Sequence, residues 1–79
     1  MITKKQFELV VQVIAARLAD KIRVGFRLRG NDAIEKLYAS QLYAALENEK
    51  LKVWYFSVPR LYELYKAEIA TGKLVLPDY

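Results

Sequence analysis

Seventy-nine residues without a cysteine or a histidine, 54% of them apolar and with a net charge of +4, describe one small domain and exclude a good deal. No disulfide framework and no thiolate zinc site can be built, and the usual general base and thiolate nucleophile are both missing. A chain this short buries only about 60–65% of the surface its unfolded form exposes, so the high apolar share leaves surface over, which favours a shared core or self-association.

Met1-Ile2-Thr3-Lys4-Lys5 has the charge of a signal-peptide start, but Glu8, Gln12 and Arg17 interrupt the apolar residues after it. No stretch reaches the roughly 18–20 apolar residues of a membrane span. A cytoplasmic protein without a membrane partner is expected, one domain over residues 1–79.

The first helix is predicted from about Lys4 to about Lys21. Thr3-Lys4-Lys5-Gln6 is a capping box, and Ile2 can staple onto Phe7 across it. At 100° per residue Phe7, Val10, Val11, Ile14 and Leu18 form one apolar face. Leu9, Val13 and Ala16 form a second stripe about 160–240° away. A helix apolar on two sides is covered on both, within its own chain or by a partner. The second stripe is therefore the candidate self-association surface. Two copies of the helix would pair antiparallel in a homodimer, small Ala16 allowing close approach. The alternative is that segments 22–29 or 73–77 fold back over the stripe.

In residues 22–30, Ile22, Val24, Phe26 and Leu28 alternate with Arg23, Gly25, Arg27 and Arg29, the period of a half-buried strand. Continued helix is the other reading, with Gly25 costing about 1 kcal/mol. A lone strand needs a partner, and an extended or irregular connection is favoured. Gly30-Asn31-Asp32 is a turn and helix start, with Asn31 or Asp32 as cap. The apolar positions Ile34, Leu37, Tyr38, Leu42, Ala45 and Leu46 drift by about 120° around an ideal helix. Such drift predicts a kink or split, with Ser40 as the fresh N-cap.

Residues 51–56 are rich in strand formers and are expected as an extended bridge into the last helix. Ser57 is that helix's N-cap, Pro59 fits its first turn and Gly72 closes it. Val58, Leu61, Tyr62, Tyr65 and Ile69 share its inner face, with Leu64 on the flank. The apolar residues of the tail, Leu74-Val75-Leu76, are expected against the body. The fold predicted is all-α, a small bundle of three main helices with the middle one kinked or split near Ser40, and residues 51–56 extended.

Tyr38, Ser40, Tyr43, Leu46, Glu49, Trp54, Ser57 and Thr71-Gly72-Lys73 pair a Tyr/Ser/Tyr/Leu/Glu helix with a Trp-x-x-Ser turn and a Thr-Gly-Lys tail. Over about residues 32–76 this pattern resembles a family of small uncharacterised bacterial proteins, some of them encoded near toxin-like genes. The resemblance implies no activity. It points toward protein–protein interaction, as an accessory or antitoxin-like partner protein.

Catalysis is the poorest reading of the side chains. Ser40 and Ser57 have no base near them and read as caps. Glu47 with Glu49, and Glu63 with Glu68, read as solvated charges rather than an acid–base pair, which would need contrasting environments across a cleft. No catalytic, cofactor-binding or metal-ligating residue is assigned. The basic excess lies in the first 29 residues, which hold seven Lys/Arg against Glu8 and Asp20. Lys21, Arg23, Arg27 and Arg29 are its centre, candidates to contact an acidic protein partner or the phosphates of nucleic acid. Among the six tyrosines, Tyr43 and Tyr79 are the candidates for exposed contacts, the others core edge. The function expected is a small non-catalytic protein–protein interaction module; the alternative is a nucleic-acid-binding protein using segment 21–29.

Overall fold

In the computed structural model, which describes residues 3–76, Thr3 and Gln6 close the expected capping box. The Gln6 amide donates to Thr3 Oγ1 at 3.1 Å and the Thr3 amide to Gln6 Oε1 at 3.0 Å. Helix α1 runs Lys4–Gly25, α2 Gly30–Tyr38, α3 Gln41–Leu46 and α4 Val58–Thr71, with two single 3₁₀ turns at Glu49–Leu51 and Val53–Tyr55. The fold is an all-α small bundle with no strand among the described residues. Its core is Leu18, Ile22, Leu37, Leu42, Leu46, Val53, Leu61 and Tyr65, each fully or almost fully enclosed.

The middle helix is split at Ser40. The Ser40 hydroxyl accepts from the Tyr43 amide at 3.1 Å and donates to the Leu37 carbonyl at the end of α2. The other two amides of the first α3 turn are met from across the bundle. The Glu68 carboxylate of α4 accepts from the Gln41 amide at 2.8 Å and from the Leu42 amide at 3.0 Å. Glu68 is only 7% exposed, a correction to its reading as a solvated charge. Backbone amides at a helix start are the partners that let a carboxylate be buried.

That contact also turns α4. Its buried face is Leu61, Tyr65 and Glu68, rotated by about 45° from the expected face, counted at 100° per residue. Ile69 is consequently 53% exposed instead of buried. A similar rotation, about 55°, sets α1. Ala15 and Ala19 are buried beside Phe7, Val11, Leu18 and Ile22, whereas Val10 and Ile14 are only half-buried. Small side chains let α2, with its own fully buried Ala33, sit close against α1.

Residues 22–30 form neither a strand nor an extended connection. α1 continues through Gly25, one turn past its expected end, and closes in a Schellman motif. The Leu28 amide donates to the Arg23 carbonyl at 2.9 Å and the Arg27 amide to the Val24 carbonyl at 3.4 Å. The left-handed residue is Arg27, φ 56°, not a glycine. Gly25 serves another purpose: a Cβ there would collide with the hydroxyl end of the Tyr62 ring. Phe26, freed from the helix, packs edge-on to Tyr65 at 5.7 Å and Tyr62 at 6.2 Å. Helix α2 then starts at Gly30 with Arg29 as an N-cap lacking a side-chain bond, so neither Asn31 nor Asp32 caps it; Asp32 lies in its first turn.

Residues 51–56 are likewise not extended. Asn48 accepts from the Lys50 amide, and Lys52, φ 61°, reverses the chain between the two 3₁₀ turns. Their amides are met locally, Tyr55 to Lys52 and Phe56 to Val53, there being no strand among the described residues to take them. The strand-like composition reflects burial: Val53 is in the core, and half-buried Trp54 sets its ring edge-on to Phe7 at 5.3 Å and donates to the Glu49 carbonyl. Ser57 accepts from the Arg60 amide, and Gly72, φ 76°, closes α4, as expected. In the tail Leu74 and Leu76 are half-buried and Val75 is exposed. The Leu74 amide donates to Gln41 Oε1 at 3.1 Å.

Two sets of variants test this account in urea unfolding. Glu68→Ala strands two amides and should cost about 3 kcal/mol, against about 0.5–2 kcal/mol for Ser40→Ala. Arg27→Gly should stabilise by about 1 kcal/mol by relieving the left-handed residue, while Gly25→Ala should destabilise, Tyr62→Phe relieving only part of the loss because the ring Cζ would still lie 2.8 Å from the new Cβ.

Candidate functional site

Seating α1 by Phe7, Val11, Ala15, Leu18, Ala19 and Ile22 leaves the far side of the helix bare. Leu9 is 56% and Val13 53% exposed, and Ala16 follows one turn on, also exposed. Neither segment 22–29 nor the described part of the tail covers them. Leu9, Val10, Val13 and Ile14 line a shallow groove of about 260 Å³ without a polar residue among them. The apolar surface continues across Ala16 to α2: Ile34, 42% exposed, shares a second groove of about 200 Å³ with Ala16, Ala19, Asp20, Arg23 and Gly30. Sequence periodicity identified the α1 half of this face but placed Ile34 inside. The drift of the apolar positions along residues 34–46 was the available signal, since one residue of a drifting set must leave the core.

The basic segment is distributed over the end of the bundle. Lys21 and Arg23 lie two residues apart on one helix, about 160° around its axis. Lys21 holds its ammonium 5.5 Å from the Tyr62 ring, with Lys66 5.1 Å from the same ring. Arg23 is turned toward α2: its guanidinium pairs with Asp20 at 2.9 Å and its Cδ lies near Gly30. Arg27 and Arg29 occupy the turn between α1 and α2, both exposed. The four cations are therefore not one strip. Lys21 belongs to the α4 side and Arg23 to the α2 side.

Of the tyrosines, Tyr43 is half-buried and lies tilted against Tyr38 at 4.7 Å, while Tyr38 and Tyr55 are the widely exposed ones, 57% and 64%. Tyr79 lies outside the described residues. A third groove, about 340 Å³, runs between the start of α1 and α3, floored by Phe7 and Val11 and rimmed by Glu8, Glu47 and Tyr43. Glu63 and Glu68, both expected as solvated charges, go separate ways: Glu63 is exposed and binds Lys66 at 3.1 Å, whereas Glu68 is enclosed with its two amides. Among the described residues no group of three or more His, Cys, Asp or Glu could hold a metal ion, and no helix is long and apolar enough to cross a membrane.

Two phenols carry a pH signature. Burial, and then the Glu68 carboxylate, raise the Tyr65 pKa above its usual 10.0. Burial raises Tyr43 too, followed by Glu47 and Tyr38. A phenol harder to ionise in the folded state stabilises fully below its unfolded pKa and loses that contribution as pH rises through the folded value. Stability measured by urea unfolding should therefore be flat up to about pH 9 and fall above about pH 10, with a shallower fall in Tyr65→Phe. Comparison with protein-family models, with curated proteins and with solved structures finds no match to this chain.

Proposed function

We propose that the protein is a small non-catalytic protein–protein interaction module of the cytoplasm, an accessory or antitoxin-like partner, and that it binds through the outer face of α1. The observation that carries this reading is the contiguous row Leu9, Val13 and Ala16, continued by Ile34 of α2. Isolated exposed apolar residues are ordinary on any surface, whereas a row of them along one helix is the geometry of a helix-packing seam. The row is also dispensable to the core, which closes without it. Distribution of the basic residues weakens the nucleic-acid alternative: Asp20 holds Arg23, and Lys21 faces the other way. A patch that grips phosphates gathers its cations on one surface.

A photo-crosslinking amino acid at Val13, introduced into the protein in its own cells, should yield a protein adduct. The same group at exposed Lys50 should not. Absence of any adduct at Val13 would remove the reading. Mixing with labelled DNA duplex at low and moderate salt provides the second arm. Little binding is expected, and Arg23→Glu, Arg27→Glu and Arg29→Glu together should leave it unchanged. Binding that weakens steeply with salt and disappears in that triple variant would transfer the function to nucleic acid.

A further inference from the structure

We infer that the partner seated on the outer face of α1 is a second copy of this chain, with the two α1 helices antiparallel across a two-fold axis level with the step from Gln12 to Val13. The inference rests on the interaction reading above and names its partner. An isologous interface must be complementary to itself, the same patch supplying both halves of every contact. The α1 face meets that condition twice.

The first complementarity is of size. An antiparallel pair about that axis sets Leu9, which projects, level with the second copy's Ala16, which is small, and sets Ala16 level with the second copy's Leu9. Val13 lies beside the axis itself. A parallel pair in register would instead stack Leu9 on Leu9 and leave a gap between facing Ala16 residues, against the close packing that helix contacts require. The second complementarity is of charge. Lys5 and Asp20 are both exposed and fall within about 50° of the mean direction of the apolar row; Asp20 holds Arg23 of its own helix through Oδ1, so Lys5 of the second copy would join that pair at its rim. The same axis sets Lys5 level with the second copy's Asp20, at both ends of the seam. A parallel pair would put Lys5 on Lys5 and Asp20 on Asp20, an arrangement opposed by like-charge repulsion.

The area available is small. The 22 residues of α1 and nine of α2 span about 33 Å and about 14 Å at 1.5 Å per residue. Strips about 10 Å wide along them give close to 500 Å² per copy, about 1,000 Å² in total, the lower limit of specific interfaces. An interface this small belongs to a weak, reversible association.

Analytical ultracentrifugation from about 1 µM to about 1 mM tests this. The wild type should move from 9.2 kDa toward twice that mass. Leu9→Glu, a change at a position already more than half exposed, should abolish the dimer, leave the circular dichroism unaltered, and match the wild-type thermal midpoint at concentrations where the wild type is itself monomeric. Lys5→Asp and Asp20→Lys should each weaken it by about tenfold, and the two together should restore it. A wild type that stays monomeric would overturn the inference. So would a dimer indifferent to Leu9→Glu, or one in which the double reversal fails to restore what each single reversal loses. The crosslinker at Val13 separates the two levels of argument. An adduct of twice the chain mass supports the dimer. Adducts only with other proteins overturn the dimer and leave the interaction reading intact, and no adduct removes both.

Discussion

One enclosed carboxylate fixes how the pieces of this bundle meet. Helix α3 has only six residues, too few to be stable by itself, because nucleating a helical turn costs more than so short a run returns. Its first-turn amides would be buried without partners where the chain breaks between α2 and α3. Glu68 reaches them from α4, and Ser40 takes the third. The bond therefore joins residues 26 and 27 positions apart in sequence, and it couples α3, α4 and, through Gln41 and Leu74, the start of the tail. Burial of the carboxylate is stable because two amides at the positive end of a helix replace its water.

The consequence for surface chemistry is indirect. A carboxylate that must point inward turns α4, taking Ile69 out of the core, while the alanine side of α1 receives α2. α1 then cannot bury both of its apolar sides in a chain with so little other structure. Phe7, Val11, Leu18 and Ile22 go inward, and Leu9 and Val13 remain outside. The exposed seam is thus a product of the packing geometry, since the same 22-residue helix carries more apolar surface than three short helices and two turns can cover.

The charges follow the backbone in the same way. Extending α1 to Gly25 fixes Lys21 and Arg23 on opposite sides of one helix, whereas an extended strand would have placed both on one face with Arg27 and Arg29. Helical geometry instead gives Lys21 to the Tyr62 ring and Arg23 to Asp20. A run of basic residues in sequence is an electrostatic patch only if the backbone period brings them together.

Local chemistry written into adjacent residues was legible in the sequence alone. The capping box at Thr3, the split at Ser40, the Ser57 and Pro59 start and the Gly72 stop all depend on groups within four residues of one another. The two-sided apolar pattern of α1 was equally readable, and with it the all-α class and the outer seam. Tertiary structure alone decided which of several locally acceptable options won. Gly25 read as part of an extended connection or as a cost within a continued helix, yet its lack of a side chain leaves room for the Tyr62 ring, and Arg27 takes the left-handed turn. Residues 51–56 had strand-forming side chains, but with no strand beside them among the described residues their amides closed 3₁₀ turns. Glu68 looked like any solvated acid on α4 until α3 came within hydrogen-bond reach of it. In each case the deciding partner lies far along the chain, and neither residue propensity nor periodicity carries information about a contact that only packing creates.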